Sequence, residues 1–137
     1  REDSTGNIIK ATGNGGNITI ETPRLTLSDG AGVSTSSLQS RGNAGNITIR
    51  ALDVELDGFV TLSYADFALT KIATNVVLSD ADVKAGTLSI DTERLRLSNG
   101  AYLDTSVQSG RGQAGNLIVR ASDSIDIDGQ GPPNRDN

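Results

Sequence analysis

The sequence predicts an all-β chain folded as a parallel β-helix of about five or six coils. Residues 16–53 match residues 86–123 at 19 of 38 positions without a gap. Short runs with alternating apolar residues lie between tight-turn dipeptides, as in strands that bury one face. A long repeat made of short strands indicates stacked coils. A unit of a glycine, a polar residue and alternating apolar residues recurs, with its glycine at Gly16, Gly45, Gly86 and Gly115.

The best-preserved copies of this unit are residues 44–51 and 114–121. In the first copy, Ile47 and Ile49 alternate with polar residues, and a period of two predicts a strand with its apolar side chains inward. We expect each strand to have about three to six residues. Glycine dipeptides that supply a positive φ separate the strands: Asp29-Gly30, Asp57-Gly58, Asn99-Gly100 and Asp128-Gly129.

The spacing of the glycines sets the length of the coils. The spacings are 29 (16 to 45), 41 (45 to 86) and 29 (86 to 115), so the pair repeats as a unit of 70 residues. The 41-residue unit holds either two coils or one coil with an insertion. We assign residues 1–137 to one domain, with internal repeats at 16–58 and 86–129 and an irregular segment at 59–85.

Three weaker segments complete the chain. In the irregular segment, we favour strands at 59–63 and 75–79 over a helical turn at 65–74. Residues 7–10 form a candidate strand near the beginning. At the other end, the prolines of residues 131–134 lack the amide donor that a sheet needs, so the pattern ends there.

The composition narrows the classes of function. Apolar residues are 35% and aromatic residues 3%, so the core must consist of Val, Ile, Leu and Ala. The absence of Cys and His removes disulfides, thiolate metal sites and the commonest general base. A net charge of −5 argues against a nucleic-acid partner, and no apolar stretch is long enough to insert into a membrane. No signal peptide is visible, and we expect the chain to be a fragment of a longer one.

Asparagine recurs at one position of the coil, at Asn17, Asn46 and Asn116. Such a row is either a ligand-binding row or an internal ladder of amides bonded to neighbouring coils, and we favour the ladder. Acidic turn residues raise the question of a calcium site, but the spacing of known calcium loops is missing, so we interpret them as solvent-facing turns. These residues are Asp29, Asp53, Asp57, Asp123, Asp126 and Asp128.

Arginine also recurs at matching positions, which makes a basic row a candidate contact for acidic or sulfated glycans and other partners. The alternative is that these outward arginines pair with nearby acids, and we favour it. The candidates are Arg24, Arg94, Arg41, Arg111, Arg50 and Arg120. With about three coils in each 70 residues, paired arginines would lie about 14 Å apart.

The remaining patterns favour no catalytic or cofactor site. A Ser/Thr-rich run at 34–37 could form a flat hydroxyl face of the ice-binding kind, but it is irregular, and we interpret it as a polar outward strand. Paired carboxylates on a β-helix can serve a polysaccharide hydrolase or lyase. The chain lacks an acid cluster repeated on one strand, since Asp104 replaces Ser34 in the repeat. We therefore predict neither an enzyme nor a metal or cofactor requirement.

Several of these runs together resemble a known family. Gly-Asn-Ile-Thr-Ile, Arg-Leu-Thr-Leu-Ser-Asp-Gly-Ala and Gly-Asn-Ala-Gly-Asn are similar to repeats of filamentous-haemagglutinin-like exoproteins, especially those of the cyanobacterial type. The resemblance covers residues 6–58 and 84–129, and residues 59–83 fit it poorly. It implies a right-handed parallel β-helix in the passenger part of a large exported protein.

The same resemblance implies a function and a location. Such proteins leave the cell through a partner β-barrel in the outer membrane, the two-partner route, and act as adhesins or as stalks. We therefore expect a rigid structural or adhesive segment, secreted or displayed at the cell surface. The alternative is a polysaccharide-binding or polysaccharide-degrading β-helix module.

Overall fold

The computed structural model describes residues 11–62, 67–77 and 82–130. These residues form a parallel β-solenoid without a helix, as the sequence predicts, and so contain no helical span of a membrane. The predicted strand at 7–10 and the tail at 131–134 lie outside them. The strands are β1 (Ile18–Ser28), β2 (Gly32–Ser34), β3 (Ser37–Leu38), β4 (Ile47–Asp57), β5 (Phe59–Thr61), β6 (Phe67–Leu69), β7 (Lys71–Ala73), β8 (Val76–Val77), β9 (Val83–Lys84), β10 (Leu88–Ser98), β11 (Tyr102–Asp104), β12 (Val107–Gln108), β13 (Gly112–Gln113) and β14 (Leu117–Ile127).

One long sheet runs through the stack. Its strands are parallel and lie in the order β1, β4, β10, β14, and we call each of them a rung. Ile18 lies opposite Ile47, Ile47 opposite Leu88, and Leu88 opposite Leu117. Each glycine unit therefore adds one rung, at about 4.8 Å per rung. Positions 70 residues apart lie two rungs apart, or about 10 Å, and not 14 Å.

The number of coils differs from the prediction. The described residues give four rungs of the long sheet, not five or six coils. The reason is the 41-residue unit, which makes one coil with an insertion. Lys71 begins its lateral strand 24 positions after Ile47 (71 − 47), whereas the equivalent Gly32 follows Ile18 by 14 (32 − 18).

The insertion contains a β-hairpin. Strands β5 and β6 pair antiparallel, with Phe59 opposite Leu69 and Val60 opposite Ala68. The chain then rejoins the solenoid at β7, which lies between β2 and β11. A helical turn at 65–74 is wrong wherever that segment is described, because β6 and β7 are extended there. The favoured strands appear in shorter form, 59–63 as β5 and 75–79 as β8, and residues 63–66 and 78–81 lie outside the described ranges.

The rungs are longer than predicted. Each has 11 residues, because two predicted short strands run together through a bend. In β4, the buried positions change phase at this bend, from Ile47 and Ile49 to Val54 and Leu56. Both halves of the strand thus face one aliphatic core, to which Ile72 of β7 also belongs.

The recurring glycines are required by the contact between coils. A Cβ on Gly86 would lie 1.8 Å from the carbonyl oxygen of Gly45, and one on Gly115 would lie 1.8 Å from that of Gly86. A Cβ on Gly45 would lie 2.0 Å from the Gly16 oxygen. No side chain fits between these backbones, so the close approach of neighbouring coils fixes glycine at these positions.

Candidate interaction surface

The outward face of the long sheet carries charges that alternate in sign from rung to rung. We call the two clearest columns the first and second charge rows. The first row consists of Glu21, Arg50, Asp91 and Arg120, which lie opposite one another. The second row consists of Arg24, Asp53, Arg94 and Asp123. Four of the six candidate arginines lie in these rows.

In the second row, Asp53 lies between two arginines. Arg94 Nε donates to Asp53 Oδ1 at 2.6 Å, and Arg24 Nη2 donates to Asp53 Oδ2 at 3.4 Å. Arg94 Nη1 also lies 3.7 Å from Asp123 Oδ2. Arg24, Asp53 and Arg94 also line a groove of about 290 Å³. Acids of neighbouring coils therefore balance the positive charge that would otherwise attract an acidic glycan.

The first row contains two further ion pairs. Arg50 Nη1 lies 2.8 Å from Glu21 Oε1, and Arg120 Nη1 lies 3.5 Å from Asp91 Oδ1. All four side chains are exposed, so each pair contributes about 0–1 kcal/mol to stability. These pairs mainly specify the register of neighbouring coils, because a coil displaced along its strand direction would bring like charges of the two rows together.

The other two candidate arginines lie elsewhere. Arg41 follows β3, and its backbone N–H donates to the carbonyl of Ala11 at 2.8 Å. Arg111 follows β12, and its Nε lies 3.8 Å from Asp82 Oδ1. The structure therefore divides the six arginines between the long sheet and the loops after the short strands, and it does not bring them into one basic row.

Two acids of the long sheet have a lowered pKa. At Asp53, desolvation raises the pKa, but hydrogen bonds and charges from Arg94 and Arg24 outweigh it and hold the pKa below its ordinary value. At Asp57, hydrogen bonds from Ser98 Oγ at 2.5 Å and Asn99 Nδ2 at 2.7 Å lower the pKa. Both carboxylates are ionised at neutral pH and act as hydrogen-bond acceptors.

The recurring asparagines lie where each rung begins. Asn17 Oδ1 accepts the N–H of Asn46 at 2.8 Å, and Asn46 Oδ1 accepts the N–H of Thr87 at 2.8 Å. Asn116 has the same position on the fourth rung. A second column of this kind runs through Asn14, Asn43 and Lys84. These amides join coils, which is the role of a structural ladder.

A buried threonine column was missed by sequence reasoning. Thr35 belongs to the run that we interpreted as outward, yet it is only 8% exposed, whereas Ser34 and Ser36 do face solvent. The sequence feature that could have revealed this column is a threonine ten or twelve residues before the glycine of a repeated unit. The Oγ1 donates to a glycine carbonyl in each coil: Thr35 to Gly45 at 2.7 Å, Thr74 to Gly86 at 2.7 Å, and Thr105 to Gly115 at 3.4 Å.

The acidic residues considered for calcium are spread over the surface. Asp29 has a positive φ of 54° in its turn, and Ser28 Oγ donates to its carboxylate at 3.0 Å. Asp53, Asp57 and Asp123 have the partners given above. Among the described residues, no three acidic side chains come together as a metal site would require.

Comparisons with known proteins identify no relative. No protein-family model matches the chain, and no curated protein or solved structure matches it at a significant level. The proposals below therefore stand on the fold, on the contacts between coils and on the sequence resemblance.

Proposed function

We propose that this chain is a rigid structural or adhesive segment of a secreted or surface-displayed exoprotein of the haemagglutinin-like kind. The observation that carries the proposal is the continuous stack, in which every glycine unit adds one rung to the same sheet. A solenoid gains length by adding coils and needs no separate core for each addition. This property suits a spacer that holds other parts of a protein away from a surface.

The contacts between coils support the rigid part of the proposal. At each step the backbones touch at glycine, a threonine hydroxyl binds a glycine carbonyl, and aliphatic side chains stack inside. Neighbouring coils therefore cannot slide or tilt without breaking buried contacts. Among the described residues, the charges of the two rows on the long sheet pair with one another, which suits a structural role.

The adhesive part rests on the exposed arginines. Contacts with glycans or proteins of a host or of neighbouring cells, and export by an outer-membrane transporter of the two-partner type, belong to the same proposal. Both are supported by the resemblance to filamentous-haemagglutinin-like exoproteins. The four arginines of the charge rows pair with acids of neighbouring coils, which supports a spacer. Arg41 and Arg111 stay candidates for contact because they lie in loops outside these rows, although Arg111 also lies 3.8 Å from Asp82.

Location is the first test of this proposal. An antibody raised against the purified chain should label intact producing cells or detect the chain in the culture medium. Permeabilising the cells should add little signal. A signal found only after permeabilisation would contradict a secreted or surface-displayed role.

A glycan panel separates the spacer from the adhesin. We expect the purified chain either to bind no glycan, as a spacer, or to bind acidic glycans through the loops. In the second case, Arg41→Ala with Arg111→Ala should abolish binding, whereas Arg50→Ala, which lies on the long sheet and not in these loops, should leave it unchanged. Release of soluble sugar in the same wells would overturn the proposal in favour of a polysaccharide-degrading module.

A further inference from the structure

We propose that two copies of this chain associate side by side through the outward face of β4 and β10, over the half of each rung that follows the bend. We call this area the striped patch, and it consists of Asp53, Glu55 and Asp57 on β4 with Arg94 and Arg96 on β10. In the pair, the two solenoids run in opposite directions. This inference concerns the folded chain and does not depend on export or adhesion.

The striped patch separates the two signs of charge by rung. After the bend, the outward residues of β4 are all acids, whereas β10 has arginine at the first two of the equivalent positions. Strands β4 and β10 each have a neighbouring rung on both sides, so the patch belongs to the interior of the stack. A negative stripe thus lies about 4.8 Å from a positive stripe.

Two charges of the striped patch have no partner among the described residues. Glu55 and Arg96 lie opposite each other in the register, yet neither takes part in an ion pair or a side-chain hydrogen bond there. By contrast, Asp53 and Arg94 are joined at 2.6 Å. Arg96 is exposed and Glu55 is half-buried, and both line the groove described above. Their side chains therefore remain able to bind a group outside the chain.

The surroundings of Arg96 favour a partner that carries both signs of charge. The register places Arg96 between Glu55 of one neighbouring rung and Asp126 of the other. A simple anion, such as an acidic sugar, would be attracted by one charge and repelled by two. A fitting partner instead offers a carboxylate to Arg96 and a cation to Glu55, about one rung apart.

A second copy of the striped patch offers these groups in the required order. When its stack is reversed, a two-fold axis that lies along the strands, between β4 and β10, relates the two copies. Glu55 then lies over Arg96 of the second copy, and Arg96 lies over its Glu55. Asp53 and Arg94 face their counterparts in the same crossed manner. Each contact thus occurs twice, as in an isologous dimer.

The charges also select the direction of the second copy. A copy that faces the first at the same level, with its stack in the same direction, would place β4 over β4. Acids would then lie over acids and arginines over arginines, which is unfavourable. Exposed ion pairs add little affinity, and the net charge of −5 on each copy opposes association. We therefore expect a weak dimer of defined orientation.

Sedimentation velocity over a range of protein concentrations tests the proposal. We expect the unaltered chain to form dimers whose fraction grows with concentration. Arg96→Glu leaves two acids at the unpaired positions of the patch, and Glu55→Arg leaves two arginines. Either variant alone would place like charges over like, so its dissociation constant should rise about tenfold or more.

Mixing the two variants separates this contact from a general loss of association. In a mixed dimer, the two acids of the Arg96→Glu chain lie over the two arginines of the Glu55→Arg chain. The mixture should therefore dimerise at least as well as the unaltered chain, although neither variant does so alone. The matched control is Arg111→Glu, which reverses an arginine in the loop after β12 with a side chain that is 76% exposed, and it should associate like the unaltered chain. Circular dichroism confirms that each variant is folded.

The other outcomes overturn the proposal. An unaltered chain that stays monomeric up to about 1 mM would do so, because specific contacts are weaker than that only rarely. A mixture that stays monomeric would also do so, as would association that Arg111→Glu weakens as much as Arg96→Glu. None of these outcomes depends on where the protein is located or on glycan binding, so the proposed function is tested separately.

Discussion

The interior rungs and the outer rungs have similar sequences but very different surroundings. Leu56 on β4 is fully buried and Leu97 on β10 is 8% exposed, whereas Ile127 on β14 is 71% exposed. Ile47 is 1% exposed, and its equivalent Leu117 is 47% exposed. The alternation within a strand therefore decides which way a side chain points, and only the neighbouring rungs decide whether it is buried.

This difference indicates that most of the free energy of unfolding comes from the interfaces between neighbouring coils, which we call joints. A solenoid is approximately a sum of its repeats and their nearest-neighbour interfaces. A residue on β4 contributes to two joints of the long sheet, and the same residue type on β14 contributes to one. Substitutions at equivalent positions on different rungs should therefore lower the free energy of unfolding by unequal amounts. The expected losses are given from the largest to the smallest.

The largest effect should come from a charge on the inward face of an interior rung. We expect Ile47→Asp to cost about 4 kcal/mol or more, because a carboxylate would be buried without a partner. Thr48→Asp, on the outward face of the same strand, should cost under about 0.5 kcal/mol. Thermal melts of the two variants check this, and equal melting temperatures would contradict the assignment of inward and outward faces.

A glycine substitution tests the backbone contact between coils. Gly86→Ala places a Cβ 1.8 Å from the Gly45 oxygen, and forcing the coils apart should cost about 3 kcal/mol. The control is Gly16→Ala, whose Cβ would have no atom within 4 Å, so urea unfolding should be almost unchanged. A similar loss for both variants would mean that glycine is needed for chain flexibility and not for close approach.

Truncating an apolar side chain compares the rungs most directly. Leu56→Ala should cost about 3 kcal/mol, because it leaves a cavity between two neighbouring rungs. Ile127→Ala should cost less than about 1 kcal/mol, because that side chain is mostly exposed in the single chain. Urea unfolding at low protein concentration measures both. A loss at Ile127 as large as that at Leu56 would show that the β14 end is covered.

The threonine column should give a smaller effect. Thr74→Val keeps the shape but removes the hydroxyl that donates to Gly86 O, and leaving that buried carbonyl unpaired should cost about 1–2 kcal/mol. Thr105→Val should cost less, since its hydrogen bond is longer, at 3.4 Å, and the residue is half-buried. The reverse order in urea unfolding would argue against an ordered column.

The smallest expected effect is the loss of stability at acidic pH that comes from Asp53. The folded-state pKa of Asp53 lies below its ordinary value of 3.8, so its ion pairs stabilise the fold above that pH and are lost as the pH falls through the folded-state pKa. The urea midpoint should therefore decrease as the pH is lowered below about 4. Asp53→Asn should show a shallower decrease over the same interval. An identical pH profile for this variant would show that the ion pairs of Asp53 do not contribute to stability.

The sequence was sufficient for the solenoid, because the glycine unit and the period-two alternation are local signals that survive in the fold. The described residues contain fewer coils than the sequence predicts, and the reason is physical. The inserted hairpin, which includes Phe59 and Val60, lies in the segment that the internal repeat does not cover, and only its pairing shows that it is antiparallel. The 11-residue rungs were also missed, since the apolar alternation changes phase within a rung such as β4 and so reads as two short runs.

Predicting the charge rows from the sequence would have required the register between coils even more than predicting the fold did. Arg50 and Glu21 are 29 residues apart, and Asp53 and Arg94 are 41 residues apart. Neither pair is visible as a charge pattern until the coils are aligned one upon another. The recurrence of arginine and its pairing with nearby acids were both predicted, but without register the individual acids were not identified, and a basic row remained an alternative. Thr35 was assigned outward because its neighbours are all hydroxyl residues.

Residue-resolved hydrogen exchange tests most directly the claim that stacking, and not strand sequence, makes the stable part of this fold. It should be measured on the unaltered chain at low protein concentration. We predict that hydrogen-bonded amides of β4 and β10 exchange at least about tenfold more slowly than those of β1 and β14. Equal protection across all four rungs, or slower exchange in β14 than in β4, would contradict the account.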